Sequence, residues 1–177
     1  MSWCGGPPPV PTGQVALAVV LAEGGARRRV AFSAPASALL AREPNPTLRQ
    51  AVTVAPDAWQ ARLARVDEAL REVGLVAQVY GSLAWQWISG RDHLHADSDV
   101  DLLLRPADEA GLAAALRVLA ACEGEAPRLD GEVVFPGGAG VAWRELAARR
   151  DRVLAKSLKH LELRSPAELH GLLRAVA

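Results

Sequence analysis

Residues 98–104, Ser-Asp-Val-Asp-Leu-Leu-Leu, constrain the fold most, because two acids one position apart lead into an apolar run. Side chains at positions i and i+2 of a β-strand point to the same face of the sheet. A strand here therefore places Asp99 and Asp101 together and turns Val100 and Leu102 into the core. The segment predicts a strand with one buried face and two carboxylates on the other.

Two carboxylates held side by side repel each other unless a cation joins them. Oxygen donors of this kind favour Mg²⁺, with Mn²⁺ as the alternative, and Mg²⁺ commonly brings substrate phosphates with it. Upstream, Gly81-Ser82 ends the apolar strand candidate 75–80 and opens a short helix. Glycine lets a phosphate approach the backbone, and a helix N-terminus supplies N–H donors. Gly81 and Ser82 are therefore candidate phosphate-binding residues.

The composition excludes some partners and favours one compartment. The chain has 177 residues, half of them hydrophobic, with 20 basic and 20 acidic residues. A balanced charge gives no overall attraction to nucleic acid or to an anionic membrane. Two distant cysteines, Cys4 and Cys122, form no disulfide framework, and no signal peptide or transmembrane-length apolar run is visible. We expect a cytoplasmic protein that binds neither nucleic acid nor membrane.

The order of periodic segments predicts an α/β (α+β) fold, a mixed sheet with flanking helices. We expect a small β-rich N-terminal subdomain over 1–56, with a Pro/Gly-rich start and a hairpin, and a catalytic domain over 57–177. The predicted strands are 15–21, 29–32, 51–54, 75–80, 100–104, 129–135 and 141–143. The predicted helices are 36–42, 57–73, 81–90, 106–122, 144–159 and 166–175.

Gly81-Ser82 followed by Asp99-Val100-Asp101 on a strand resembles the signature of the DNA polymerase β-type nucleotidyltransferase superfamily. The resemblance implies two metal ions that neutralise the entering and leaving oxygens, and a third carboxylate on a later strand. The candidates for that carboxylate are Asp130 and Glu132, which point to one face. We favour Asp130.

Four segments point to one family within this superfamily: 79–86, 95–103, 130–133 and 141–145. They resemble malonate decarboxylase holo-acyl-carrier-protein synthases, which are phosphoribosyl-dephospho-CoA transferases. The resemblance implies transfer of the prosthetic group from 2′-(5″-triphosphoribosyl)-3′-dephospho-CoA to a serine of the acyl-carrier subunit of malonate decarboxylase, with release of pyrophosphate. It implies that Asp99, Asp101 and Asp130 hold the metal, and that the third acid, Asp130 or Glu132, deprotonates the serine.

Other interpretations compete with this one. A member of the same superfamily could act on another acceptor, either a small molecule or a partner protein as in toxin–antitoxin systems. A degenerate member could merely bind a nucleotide or a partner, but packed like charges bring no benefit to a pure binder. A zinc site could be drawn from His93, His95 and Asp97, although ligands on one short loop surround an ion poorly.

Basic and aromatic side chains complete the candidates. Lys156 lies in the predicted helix 144–159 together with Arg149, Arg150, Arg152 and Lys159. These residues fit a solvated helix face; alternatively, Lys156 reaches the triphosphate or the arginines meet an acidic carrier protein. Trp85, Trp87 and Trp143 are expected in the core, with stacking on an adenine as the alternative.

Overall fold

The computed structural model describes residues 10–23, 26–39, 44–157 and 160–174, so Cys4, Lys159 and most of the Pro/Gly-rich start lie outside it. The chain forms two compact units, Met1–Pro44 and Asn45–Ala177. This division falls earlier than the boundary expected after residue 56. The larger unit carries every predicted site residue.

The N-terminal unit contains the predicted hairpin. Strand β1 (Gln14–Glu23) pairs antiparallel with β2 (Ala26–Pro35), and both strands are longer than expected. A single 3₁₀ turn over Ala36–Ala38 follows, where the sequence predicted a helix over 36–42; residues 40–42 of that prediction lie outside the described residues.

The second unit is a six-stranded mixed sheet with flanking helices, which confirms the predicted fold class. Its strands are β3 (Gln78–Tyr80), β4 (Val100–Leu104), β5 (Leu129–Val134), β6 (Gly140–Ala142), β7 (Val153–Lys156) and β8 (Leu161–Arg164), in spatial order β3-β4-β5-β6-β7-β8. Its helices are α1 (Leu48–Ala51), α2 (Asp57–Glu72), α3 (Gly81–Ser89), α4 (Glu109–Ala121), α5 (Trp143–Ala147) and α6 (Pro166–Arg174). Only the β4–β5 pair is parallel among these strands, and α4 makes the crossover that a parallel pair requires.

Burial alternates along the central strands. In β4, Val100, Leu102 and Leu104 are buried, whereas the residues between them are half-buried. The buried residues belong to one core cluster with the apolar stripes of α2 and α4. The helices therefore cover one face of the sheet, and Asp101 lies on the other, more open face. This placement agrees with the alternation predicted from residues 98–104.

The strand predicted over 51–54 is wrong. Residues Leu48–Ala51 form α1 and Val52–Val54 form a 3₁₀ turn. Thr47 and Gln50 make a capping box, in which each side chain bonds the other's backbone N–H, so this segment begins as a helix. Leu48 and Ala51 are fully buried in the core of the larger unit, which is why residues 45–56 belong to that unit.

The helix predicted over 144–159 is also wrong. Helix α5 ends at Ala147, Arg149 adopts a left-handed φ of 50°, and β7 follows. Val153 and Ala155 are buried with strand alternation, and β7 pairs with β8. The carboxylate of Glu145 accepts the N–H of Leu154 at 2.8 Å, which ties α5 to the strand. The predicted strand 75–80 is shorter, covering only Gln78–Tyr80. None of the described helices is both long enough and apolar enough to cross a membrane.

Candidate active site

Three neighbouring strands bring the central site residues into one row. In the register of the sheet, Tyr80 pairs with Asp101 and Asp101 pairs with Asp130. All three are half-buried on the open face of the sheet. Asp99 lies just before β4 and joins the same group through a shared basic partner. The structure therefore brings Asp99, Asp101 and Asp130 together.

The start of α3 lies directly against Asp101. Gly81 follows Tyr80 with a φ of +65°, a left-handed conformation that glycine adopts without strain. A Cβ atom at Gly81 would overlap Oδ2 of Asp101, so the carboxylate occupies the space that a side chain would need. Ser82 lies in the first turn of α3 and is half-buried. The two candidate phosphate-binding residues thus adjoin the carboxylates.

Arg128 completes the cluster and is not among the residues that the motifs predicted. One nitrogen of its guanidinium, Nη2, donates to Oδ2 of Asp99 at 2.7 Å and to Oδ2 of Asp130 at 3.1 Å. Its carbonyl accepts the N–H of Val100 at 2.9 Å, which fixes its backbone beside the start of β4. The sequence carried one signal: Arg128 precedes Asp130 by two positions, so strand alternation puts both on the same face.

The clustered charges change the acidity of Asp101 and Tyr80. Burial, followed by the neighbouring Asp99 and Asp130, raises the pKa of Asp101 to about 6, while Arg128 acts in the opposite direction. Burial and the surrounding carboxylates, Asp101 first, also raise the pKa of Tyr80, so its hydroxyl stays protonated. Arg128 alone therefore does not compensate the negative charge around Asp101.

Glu132 and Lys156 form a second pair along the same face. Glu132 follows Asp130 by two positions on β5, and its Oε1 lies 3.4 Å from Nζ of Lys156. Lys156 ends strand β7 instead of lying on a helix, which corrects the expected context of this residue. It still reaches the acidic face of the sheet, so both residues remain near the cluster.

The donor set suits a hard divalent cation in its chemistry. Asp99, Asp101 and Asp130 supply only oxygen atoms, and burial together with the neighbouring carboxylates raises the pKa of Asp101. Within the described ranges, however, no three acidic, histidine or cysteine side chains are gathered closely enough to hold a metal ion. Arg128 lies between two of the three acids, so a cation there requires these side chains to move.

The loop 90–99 is fastened to α3 by Gln86. Its Oε1 accepts the backbone N–H groups of His93 at 2.9 Å and Leu94 at 3.1 Å, while its Nε2 donates to the carbonyl of Val54 at 2.5 Å. The described residues do not form the alternative zinc site of His93, His95 and Asp97, because no three ligand-type side chains meet in this loop. His95 and Asp97 are exposed.

The tryptophans divide into two groups. Trp143 is buried in the core as expected, and the guanidinium of Arg144 lies 4.5 Å from its ring centroid. Trp85 and Trp87 are 41% and 39% exposed on α3, so the prediction that they lie in the core is wrong for these two.

A cavity of about 810 Å³ lies away from the carboxylates, between α4, α5 and α6. Its lining is largely apolar, with residues such as Leu112, Leu116 and Leu146; it includes Arg149 and Arg150 but none of the predicted metal-binding or phosphate-binding residues. The candidate site is therefore an open sheet face and not an enclosed pocket.

The fold and the site define a class of protein: a mixed α/β domain that displays clustered carboxylates on the open face of its sheet, beside a Gly-Ser helix start. A family model described as the phosphoribosyl-dephospho-CoA transferase MdcG C-terminal domain matches residues 47–167. This match covers most of the chain and begins just after the division between the two units. The chain belongs to this family.

The curated relatives that the chain resembles are named phosphoribosyl-dephospho-CoA transferases. A phosphoribosyl-dephospho-CoA transferase of Bradyrhizobium diazoefficiens is 36% identical over 150 residues, which are 84% of this chain and 66% of the relative. One of Xanthomonas campestris is 35% identical over 145 residues, 81% of this chain and 68% of the relative. One of Pseudomonas aeruginosa is 42% identical over 104 residues, 56% of this chain and 46% of the relative. No solved structure matches significantly. The matched part of this chain spans about two thirds of the first two relatives.

Proposed function

We propose that this chain transfers the phosphoribosyl-dephospho-CoA group from 2′-(5″-triphosphoribosyl)-3′-dephospho-CoA to a serine of the acyl-carrier subunit of malonate decarboxylase, releasing pyrophosphate. The observation that carries this proposal is the row of Asp101 and Asp130 on adjacent strands, with Gly81 against Asp101. Membership of the phosphoribosyl-dephospho-CoA transferase family supports the choice of the transferred group. The carrier subunit as acceptor rests on the sequence resemblance.

Asp99, Asp101 and Asp130 would hold Mg²⁺ or Mn²⁺. When bound, such an ion neutralises charge on the phosphate oxygens during displacement. Burial and, after it, the neighbouring carboxylates raise the pKa of Asp101, and the negative charge of those carboxylates favours a cation at this place.

The remaining groups would bind the donor and take the proton. The N–H groups at the start of α3, together with the hydroxyl of Ser82, would donate to the leaving polyphosphate. Lys156 would supply a positive charge next to Glu132. Asp130 would accept the proton of the serine hydroxyl, because it lies abreast of Asp101 and is partly exposed to an incoming acceptor.

The test is incubation of the chain with apo-carrier protein, Mg²⁺ and the triphosphoribosyl donor, followed by intact mass measurement of the carrier. We expect the carrier to gain the mass of the phosphoribosyl-dephospho-CoA group. Asp99→Ala and Asp101→Ala should abolish the gain and leave the circular dichroism spectrum unchanged. Asp92→Ala is the matched control, since Asp92 is exposed and outside the cluster, and it should keep full activity.

Two outcomes contradict the proposal. Turnover near that of the unmodified chain in Asp99→Ala or Asp101→Ala would remove the carboxylates from the mechanism. An unmodified carrier together with ATP-dependent labelling of a different acceptor would favour the second candidate, a transferase of the same superfamily with another acceptor.

A further inference from the structure

The open face of the sheet continues past the carboxylates to two exposed leucines. Lys156 on β7 reaches Glu132 of β5, with Nζ 3.4 Å from Oε1, so both side chains lie on that face. Lys156 pairs in register with Leu161 of β8, and cross-strand partners share a face of the sheet. Leu163 follows two positions later and therefore lies on the same face. The leucines and the carboxylates are thus parts of one continuous surface.

These leucines form an apolar patch at the edge of the sheet. Leu161 is 71% exposed and Leu163 is 57% exposed. Leu154, the register partner of Leu163 on β7, is half-buried beside them, and we call the three residues the leucine patch. Among the described strands, β8 pairs with β7 alone. Exposed edge strands usually carry charged residues that prevent association, so a leucine patch on such a strand indicates a surface with a partner.

Small residues separate the leucine patch from the carboxylates. Strand β6 lies between β5 and β7, and it places Ala142 opposite Glu132 and Gly140 opposite Lys156. A Cβ atom at Gly140 would overlap Oε2 of Glu132, so the missing side chain makes room for that carboxylate. Because β6 adds nothing larger than a methyl group to this face, the surface is low there. An extended segment of a bound protein can cross it from the leucine patch to Asp130.

A basic side chain lies at the border of the leucine patch. Nη2 of Arg152 donates to the carbonyl of Leu163 at 2.6 Å, which holds a positive charge at this edge. Among the described carboxylates none forms a salt bridge with Arg152, and Glu168 accepts the N–H and the hydroxyl of Ser165 instead. The patch therefore suits a partner surface with an apolar centre and an acidic group beside it.

The dimensions fit a protein partner. Neighbouring strands lie about 4.8 Å apart, so the three steps from β5 to β8 put the leucine patch about 14 Å from Asp130. A specific protein interface covers about 800 Å² on each partner, roughly 30 Å across, and therefore includes both places. A small ligand would gain little from leucines on an open sheet edge, because small molecules bind in concave pockets that enclose them.

We propose that the leucine patch is the docking surface for the acceptor protein, whose serine-bearing segment crosses β6 to reach Asp130. This inference rests on the proposed function, which requires a carrier protein to bring its serine hydroxyl to the carboxylates. The carrier places apolar side chains on the patch and an acidic group beside Arg152. The patch supplies affinity for the carrier and takes no part in the chemical step, so its loss affects KM for the carrier and not kcat.

The first experiment measures steady-state transfer by the full chain, with apo-carrier and donor varied separately. Leu161→Asp puts a charge in the leucine patch, and we expect the KM for the carrier to rise about tenfold, as when an interface loses an apolar anchor. The kcat and the KM for the donor should stay within about twofold. Val76→Asp is the matched control, because Val76 is 49% exposed and precedes β3, at the opposite edge of the sheet. It should leave all three constants unchanged.

Direct binding separates docking from catalysis. Fluorescence anisotropy of labelled apo-carrier, without donor, gives the Kd of its complex with the full chain. We expect Leu161→Asp to raise this Kd about tenfold and Val76→Asp to leave it unchanged. Sedimentation velocity of the chain alone tests a second copy as the occupant of the patch, and we expect Leu161→Asp to sediment like the unmodified chain.

Three results would overturn the inference. Unchanged Kd and KM for the carrier in Leu161→Asp would show that the carrier docks elsewhere, while transfer by the unmodified chain would still support the proposed function. A dimer of the unmodified chain that Leu161→Asp dissociates, with no change in KM for the carrier, would assign the patch to a second copy. A carrier that neither binds nor receives the transferred group would refute the proposed function and this inference together.

Discussion

Replacing Gly81 with alanine tests the contact between the start of α3 and Asp101. An L-residue in the left-handed conformation of Gly81 costs about 1–2 kcal/mol, and alanine recovers about 0.4–1 kcal/mol by restricting the unfolded chain. The backbone change alone therefore costs about 1 kcal/mol. The new methyl group would also overlap Oδ2 of Asp101, and forcing that side chain off its preferred rotamer adds about 0.5–1.5 kcal/mol.

Gly90 provides a matched control for this substitution. It ends α3 with a φ of +64°, and no other atom lies within 4 Å of the place where its Cβ would be. Gly90→Ala should therefore lose only the stability that placing alanine in a left-handed conformation costs. Urea unfolding should give a loss of about 1 kcal/mol for Gly90→Ala and about 1.5–2.5 kcal/mol for Gly81→Ala.

The functional readouts should separate the two variants more sharply. Because Gly81→Ala displaces a carboxylate of the cluster, its Mn²⁺ affinity should fall about tenfold or more, and transfer to the carrier should fall with it. Gly90→Ala should retain both. Equal Mn²⁺ affinity and equal transfer rates in the two variants would refute the reasoning, since the overlap with Asp101 would then have no consequence.

Two further predictions concern stability. The pKa of Asp101 is about 6 in the folded chain against 3.8 ordinarily, so the free energy of unfolding should decrease as pH rises from about 4 to about 6. At pH 7, Asp101→Asn should therefore have a free energy of unfolding about 1–2 kcal/mol higher than the unmodified metal-free chain, after allowance for solvent screening. At pH 4 the two proteins should be equally stable, and urea unfolding measures both values. A difference that stays constant from pH 4 to pH 7 would contradict the assignment. Gln86→Leu removes the two hydrogen bonds that fasten the loop to α3 and a third that joins Gln86 to the carbonyl of Val54. It should cost about 1–2 kcal/mol and speed amide exchange at His93 and Leu94, whereas unchanged exchange would show that the loop is held by other contacts.

Local patterns predicted the elements that matter most for the site. The alternation around Asp101 predicted β4 and its two faces, and Gly81 together with Gly90 correctly bounded helix α3. These signals are local, because strand alternation and glycine at helix ends depend on neighbouring residues in the chain.

The segment after Glu145 shows where local signals fail. Alanine, leucine and arginine are strong helix formers, so residues 144–159 predict a helix by composition. Pairing of β7 with β8 and burial of Val153 override that preference. Such pairing depends on residues far apart in sequence, which propensity does not report.

The sequence by itself determined that Asp99 and Asp101 alternate with the buried residues Val100 and Leu102, and that a helix starts at Gly81-Ser82. Only the tertiary structure decided which later residues join them. Parallel pairing of β4 with β5 sets Asp130 beside Asp101, and the same register brings Arg128 between Asp99 and Asp130. The physical reason is that a strand's alternation fixes which face a side chain takes, whereas its neighbours across the sheet depend on register, which only the complete packing of the sheet sets.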